Sequence, residues 1–192
     1  MSTTEKSNVA DTVGATVIAG GGMREGAGAS GVYTVVCIGA DGVEKWRDTF
    51  PNLVVNSGLK LMNDTFFAGS AYTAVWYLGL ITGPGSSTTF AASDTMSSHI
   101  GWTEDTTYSN TNRPTVTFGA ASLADPSVIA TSATSFSING ATTVAGAFLT
   151  TNNTKGGTTG TLFSASDFTG GDRILASGDT LNVTYTFTLE AP

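Results

Sequence analysis

The chain has 192 residues, a formal net charge of −7 and only 12% charged residues. This length suits one domain, or one domain with an arm, and lets a compact chain bury roughly 70% of its unfolded surface. Eight Lys and Arg residues are too few to neutralise an extended phosphate backbone, so direct binding of DNA or RNA is not expected. The single cysteine, Cys37, allows no intramolecular disulfide.

Hydroxyl side chains, rather than charges, supply most of the polar surface. The chain contains 33 Thr and 19 Ser, and 24 Gly residues supply turns. Because Thr suits a pleated, half-buried surface, this composition favours an all-β domain with many short strands. No apolar run is long enough to predict a membrane span, and the N-terminus lacks the pattern of a signal peptide. We therefore expect synthesis in a reducing cytoplasm and no membrane partner.

Residues 1–30 differ from the rest of the chain, since they are rich in Gly and Ala and contain no aromatic residue. Such a segment buries too little apolar surface to fold alone. Val13, Val17 and Ile18 can pair as a strand only where a sheet edge is offered to them. We predict an extended, partner-binding N-terminal arm, held by a neighbouring subunit or lying across the body, and a single domain over residues 31–192.

The first strand signals describe a hairpin. Residues 32–38 are mostly apolar and include Cys37, which we expect to be a buried, inert thiol. The Asp-Gly pair at 41–42 predicts a tight turn into a returning strand at 43–49, and residues 52–55 continue in extended form.

Residues 57–67, SGLKLMNDTFF, are the one good helix candidate. Their apolar side chains fall at helical spacing, and Asn56 or Ser57 is expected to cap the first turn. A single helix among strands commonly packs across one end of a sandwich or plugs a barrel.

From residue 75 onward the sequence pattern again predicts strands. Residues 75–82 predict a buried strand, and 83–113 predict a connection of a length that usually carries function or an interface. Residues 180–189 alternate between apolar and polar, which is typical of a strand with one face in the core and one in water. Further strands are predicted at 115–121, 134–139, 143–150 and 160–165. About eight or nine strands predict a two-sheet sandwich or jelly roll with one short helix.

The long connection contains the only histidine, His99, within DTMSSHIGWTEDTTYSNTNRP at 94–114. Ser97, Ser98 and Asp94 lie near it, so a nucleophile, a base and an orienting acid are all present. Triads are assembled in space rather than in sequence, however, and the chain has no G-x-S-x-G elbow. We therefore predict no catalytic residue, and a loop-ordering role for six side chains: Asp94, His99, Trp102, Glu104, Tyr108 and Arg113.

Each of these side chains has an expected task within the loop. Asp94 should hydrogen-bond nearby backbone, while Trp102 and Tyr108 should pin the loop to the body. His99 should form a hydrogen bond across the loop, with Glu104 or Arg113 as its partner.

Other chemistries have weaker signals. A structural zinc site needs about four nitrogen or sulfur ligands, which one His and one Cys do not supply. Asp94, Glu104 and Asp105 carry oxygen ligands of the kind that calcium takes, so calcium binding stays open as an alternative, although the chain lacks a D-x-[DN]-x-[DN]-G loop. Glu104 and Asp94 could be imagined as a glycosidase acid pair, and the three tryptophans as sugar platforms. We expect no metal and no cofactor.

Six blocks carry a resemblance: NLVVNSGL (52–59), VWYLGLI (75–81), DTMSSHIGWTED (94–105), YSNTNRP (108–114), TVAGAFL (143–149) and GDTLNVTYTF (178–187). In this order they resemble a family of small tailed-bacteriophage proteins described as virion structural, decoration or tail-associated proteins. The resemblance covers roughly residues 31–189, and the N-terminal arm departs from it. It implies a virion component with no catalytic residue to carry over.

The resemblance and the composition together lead us to expect a non-enzymatic virion protein, made in the host cytoplasm. We expect a homo-oligomeric head decoration or cement protein that binds the major capsid protein of a phage head and bridges neighbouring capsomers. A tail, collar or fibre-associated protein is one alternative, and a host-surface carbohydrate-binding module is another.

Overall fold

The computed structural model of this chain describes residues 28–69, 75–83 and 88–190. These residues form two antiparallel β-sheets, one of five and one of seven strands, with an α-helix beside them. The predicted all-β sandwich with one short helix is thereby confirmed.

The described part of the chain contains twelve strands and one helix. The helix α1 spans Asn56–Phe66, between the third and fourth strands. In chain order the strands are β1 (Gly28–Ile38), β2 (Glu44–Pro51), β3 (Leu53–Val54), β4 (Trp76–Thr82), β5 (Glu104–Asp105), β6 (Thr115–Val116), β7 (Ser127–Ala130), β8 (Thr134–Ser137), β9 (Thr142–Thr150), β10 (Leu162–Asp167), β11 (Arg173–Leu175) and β12 (Thr180–Glu190).

The five-stranded sheet depends on the pairing of its two longest strands. β1 and β12 run antiparallel over their full length, from Gly28 opposite Glu190 to Ile38 opposite Thr180. β2 extends the sheet beyond β1, while β7 and β8 both pair with β12. The alternation predicted for residues 180–189 is confirmed on the core side, where Leu181 and its odd-numbered neighbours on β12 are buried as far as residue 185.

The seven-stranded sheet has the order β3-β10-β9-β4-β5, with β11 also paired to β9 and β6 also paired to β4. β9 is its central strand, and the residues from Val144 to Thr150 are all buried. A strand buried on both faces needs apolar cover on both sides, which the five-stranded sheet supplies on one side only.

The main core fills the space between the two sheets, and tyrosine hydroxyls link the sheets across it. Tyr33 Oη lies 2.7 Å from Ser164 Oγ, and Asn52 Nδ2 donates to Tyr185 Oη at 3.0 Å. Burial raises the pKa of Tyr185 to about 12. Cys37 is fully buried, as predicted, and burial first, then the nearby Asp179 carboxylate, raises its pKa to about 11.

A second apolar layer covers the outer face of the seven-stranded sheet. Ala145 and Phe148 of β9 face outward there and pack with Met96 and Trp102. We call residues 88–103 the covering segment, because they supply these contacts. The described molecule is therefore layered in the order five-stranded sheet, seven-stranded sheet, covering segment.

The helix packs against β10, but its N-terminus differs from the prediction. The residue before the helix is Val55, and no side chain caps the first turn, so capping by Asn56 or Ser57 is wrong. The Ser57 hydroxyl instead donates to the Leu162 carbonyl at 2.7 Å, which ties the helix to the sheet. A Cβ at Gly58 would lie 2.6 Å from a β10 carbonyl, so glycine permits this close approach.

The prediction of eight or nine strands is too low, because the sequence pattern missed the shortest ones. β7 and β11 were not predicted, and β5 lies inside the connection predicted over 83–113. The predicted strand at 115–121 is limited to the two residues of β6. Two to four residues carry no readable alternation, and these strands exist because a longer neighbour offers them hydrogen bonds.

The predicted arm residues Val13, Val17 and Ile18 lie outside the described part of the chain. The boundary after residue 30 stays a prediction, and β1 begins at Gly28.

Gly79→Ala is expected to lower the free energy of unfolding by about 1–3 kcal/mol, the usual cost of overpacking. Gly79 lies opposite Phe148, and a Cβ on it would overlap the Phe148 ring. Gly119→Ala is the matched control, because its Cβ would lie 3.6 Å from the nearest atom, the Ala130 carbonyl. Denaturant unfolding measures both variants, and equal losses would contradict the tight contact.

Candidate functional site

The six side chains singled out by the sequence fall into two clusters rather than one site. One cluster lies in the covering segment and centres on Trp102. The other begins at β5 and centres on Arg113. The two are described in turn, because their chemistry differs.

The Trp102 cluster, made of Asp94, His99 and Trp102, anchors the covering segment to the seven-stranded sheet. The Trp102 side chain is nearly fully buried, and its ring centroid lies 5.2 Å from that of Phe148. Trp102 Nε1 donates to Asp94 Oδ2 at 3.1 Å, and the Ala91 N–H donates to the same oxygen at 3.1 Å. Asp94 thus holds both the indole and the local backbone.

His99 lies against Trp102 and not against the partners predicted for it. The two rings are stacked, with centroids 3.9 Å apart and planes 20° apart, and His99 Nδ1 lies 2.9 Å from the Trp102 carbonyl oxygen. The predicted bond to Glu104 or Arg113 is wrong, because those two side chains bind each other. His99 instead shields one face of the indole that anchors the segment.

The Arg113 cluster, made of Glu104, Tyr108 and Arg113, contains a buried ion pair. Arg113 Nε and Nη2 donate to the two Glu104 carboxylate oxygens at 2.9 and 2.7 Å, and the side chains are 0% and 7% exposed. The Tyr108 hydroxyl lies 3.5 Å from Glu104 Oε1, and burial, with Glu104 nearby, raises the pKa of Tyr108. The guanidinium also lies 5.2 Å from the Phe148 ring centroid.

The loop over residues 152–157 closes on this ion pair. Arg113 donates to one carbonyl at each end of the loop, at 2.9 and 2.7 Å. The Gly156 N–H donates to Glu104 Oε2 at 2.7 Å. Both charges are therefore surrounded by hydrogen-bond partners, as a buried ion pair requires.

Lys155 belongs to the same cluster, and sequence reasoning missed it. Its Nζ donates to the carbonyl oxygens of Tyr108 and Asn110 at 2.8 and 2.7 Å, and lies 4.3 Å from the Tyr108 ring centroid. The contact joins residues more than forty positions apart in the chain, so no local sequence pattern predicts it.

The catalytic arrangement considered from the sequence does not assemble around His99. The Ser97 hydroxyl lies 3.2 Å from the Thr95 hydroxyl, and Asp94 is bonded to Trp102. Asp105, the third carboxylate considered for calcium, accepts from the Thr107 N–H at 2.6 Å and from the Thr142 hydroxyl. Over the described residues, no three His, Cys, Asp or Glu side chains converge as metal ligands would.

The tryptophans considered as sugar platforms make internal contacts. Trp46 packs edge-on against Phe168 at 5.5 Å between centroids, and Trp76 packs edge-on against Phe163 at 5.1 Å. The nearly fully buried Trp102 borders a cavity of about 680 Å³ in the covering segment. Asp94 also lines this cavity, and its Oδ2 accepts the two hydrogen bonds described above.

A broad exposed surface lies on the opposite side of the molecule, on the outer face of the five-stranded sheet. β12 directs its even-numbered side chains there, and Thr184 stands beside Thr34, which stands beside Thr49 at 3.2 Å between hydroxyl oxygens. We call this surface the hydroxyl face; its polar uncharged residues are Ser30, Thr34, Thr49, Ser135, Ser137, Thr180, Asn182, Thr184, Thr186 and Thr188, and Val32, Val36 and Ile38 of β1 lie among them.

Charged side chains stand at the margins of the hydroxyl face. Glu44 and Arg47 pair with each other at 3.0 Å on the edge strand β2, and Glu190 ends β12. The sequence signal for this face was the alternation over 180–189, which separated apolar from hydroxyl side chains. The cross-strand neighbours on β1, β2 and β8 could not be read from it.

Comparison of the chain with protein-family models, with curated proteins and with solved structures found no match in any of the three. Within the described residues, no helix has the length and apolarity that crossing a membrane requires.

His99→Ala is expected to lower the free energy of unfolding by about 1 kcal/mol, because it removes one aromatic stack and one hydrogen bond. His99→Phe keeps the stack and should recover part of the loss. Thermal and denaturant unfolding of both variants measure this order. A His99→Phe protein no more stable than His99→Ala would contradict the role of stacking.

Arg113→Met is expected to cost about 3–5 kcal/mol, because it leaves Glu104 as an uncompensated buried charge. Arg47→Met is the matched control. It breaks the exposed Arg47–Glu44 pair and should cost much less than Arg113→Met, because an exposed ion pair contributes little to stability. Denaturant unfolding of the two variants under one buffer condition measures the difference, and similar losses would contradict the importance of burial.

Proposed function

We propose that this chain is a non-enzymatic bacteriophage virion structural protein, and specifically a head decoration protein that stabilises the capsid by bridging neighbouring capsomers. The observation that carries the proposal is the hydroxyl face, a sheet surface four strands wide whose charges stand at its margins. The resemblance of the six sequence blocks to tailed-phage virion proteins supplies the particular partner, the major capsid protein.

The chemistry of the hydroxyl face suits docking onto another protein. Burying a charge in an interface costs free energy unless a partner charge meets it, and the middle of this face has no such charge among the described residues. A threonine hydroxyl both donates and accepts a hydrogen bond, while its methyl group adds apolar contact. Such a surface can be desolvated against varied backbone and side-chain groups.

The layering of the fold supports the same proposal. The covering segment occupies the outer face of the seven-stranded sheet, so the outer face of the five-stranded sheet is the one left open in the described structure. A protein that binds the assembled shell more tightly than free capsomers stabilises the shell by mass action. Homo-oligomeric binding around a symmetry axis of the head would repeat this effect at every site.

The clusters described above support a non-enzymatic role. Asp94, His99 and Glu104 each have their hydrogen bonds inside the protein. These internal hydrogen bonds give the three polar residues a structural role in the fold.

The proposal is tested with heads of the parent phage that lack the protein. Thr184→Glu and Thr184→Lys each place a charge in the middle of the hydroxyl face, and each should weaken head binding at least tenfold, about 1.4 kcal/mol. Thr159→Glu is the matched control, because Thr159 is exposed outside both sheets. Binding is measured as copies per head against free protein concentration, with circular dichroism as the check on folding.

The outcomes separate the alternatives. Unchanged head binding by both Thr184 variants would contradict docking through the hydroxyl face. Wild-type protein found at six or twelve copies per particle, and absent from heads, would place it in the tail or collar instead. Binding to an isolated host glycan, and to no virion part, would favour a carbohydrate-binding module.

A further inference from the structure

An apolar groove opens at one end of the sandwich, where the two sheets and the helix diverge. Its volume is about 760 Å³, and its lining carries no charged side chain among the described residues. α1 contributes Leu61, Met62 and Phe66, and β12 contributes Phe187 and Leu189. The groove is separate from the hydroxyl face, because it continues the core side of β12.

The groove is an unfilled extension of the core. Phe187 and Leu189 follow Tyr185 on the core side of β12, yet both are only half-buried. Their neighbours on β1 are Gly31 and Ala29, which are too small to cover them. Phe187 still meets Phe163 of the seven-stranded sheet, at 5.5 Å between ring centroids, and Leu189 lies beyond it along β12.

An exposed apolar patch adjoins the groove at the end of the helix. Phe66, which lines the groove, is 74% exposed, and Phe67 beside it is 88% exposed. Large aromatic side chains left in water beside an apolar groove mark a surface that binds something.

The chain itself enters the fold beside this groove. Residues 1–27 precede β1, and the first residue of β1, Gly28, stands opposite Glu190, next to Leu189 of the lining. Within those residues the stretch VGATVI at 13–18 is uncharged, which matches the uncharged lining. Ten residue steps join Ile18 to Gly28, a span of at most about 35 Å, and the glycines at 20–22 allow the chain to reverse.

We propose that residues 13–18 of the same chain dock in this groove, with Val13, Val17 and Ile18 as the apolar anchors against α1 and β12. A tethered segment acts at a high effective concentration, so it fills a nearby groove ahead of a second copy in dilute solution. The proposal concerns the free protein and does not rest on the function proposed above. Two arrangements are expected for the arm: it is held by a neighbouring subunit, or it lies across the body of the same chain. The proposal selects the second.

Crosslinking of the full-length chain tests the docking directly. In one variant Val17→Cys is combined with Phe66→Cys on the groove, and in the control Val17→Cys is combined with Ile174→Cys. Ile174 is 82% exposed and lies on β11, outside the groove lining. The native Cys37 is fully buried, with its pKa raised to about 11, so it does not compete for a maleimide near pH 7.

A short bismaleimide should link residues 17 and 66 within one chain at least about tenfold faster than residues 17 and 174, because docking raises the local concentration. Mixing light and isotope-labelled protein before the reaction distinguishes links within a chain from links between chains. Equal rates for the two pairs would overturn the proposal. Links mainly between light and labelled chains would also overturn it, since a second copy would then be the source of the segment.

A second measurement keeps the test independent of cysteine placement. The variant Val13→Asp/Val17→Asp/Ile18→Asp should release the groove and increase the fluorescence of added anilinonaphthalene sulfonate, a dye that binds exposed apolar surface. The variant Ser7→Asp/Asn8→Asp/Thr12→Asp adds the same charge outside the apolar stretch and should leave the dye signal at the wild-type level. Equal dye signals from all three proteins would overturn the docking of residues 13–18.

Discussion

The seven-stranded sheet is apolar on both faces, and most other features of the molecule follow from that constraint. β9 is buried along Val144–Thr150, so water must be kept from both of its sides. The five-stranded sheet covers one side. The covering segment has to cover the other, which explains why a connection without long strands of its own is nevertheless ordered by so many specific contacts.

A segment without regular secondary structure must find partners for its polar groups one by one, because an unpaired buried group costs about 1–3 kcal/mol. The Trp102 cluster meets this need in the covering segment, where Asp94 bonds an indole and a backbone N–H. The Arg113 cluster meets it where the connection returns to the sheet. There the ion pair also binds the loop 152–157, so one buried charge pair orders two parts of the chain distant in sequence.

The hydrogen bonds around the Glu104–Arg113 pair favour this one arrangement of the connection. Removing two charges from water costs several kcal/mol per ion, and their attraction repays that cost only with good geometry and further hydrogen bonds. Here the geometry is bidentate, and three backbone groups of the loop 152–157 complete it. A displaced loop would leave donors and an acceptor unpaired, so alternative placements of the connection are disfavoured.

The sequence predicted what depends on long, regular patterns and missed what depends on pairing in space. The alternation over 180–189 identified β12 and its core side, since a period of two needs only one strand to be visible. The partner of His99 was mispredicted, because stacking on Trp102 arises from a turn within the covering segment. Lys155 was missed for the same reason, as its acceptors on Tyr108 and Asn110 come near only once the sheet has formed.

The same reasoning explains why a single histidine among serines and acids is a poor guide to catalysis in a chain of this kind. A domain with few charges still needs polar groups wherever irregular backbone is buried, and it concentrates them in its long connection. His99 covers an anchoring ring, Asp94 satisfies an indole N–H, and Glu104 balances a buried guanidinium. Polar residues cluster in this stretch because the irregular backbone and the buried rings of the connection need hydrogen-bond partners within the protein.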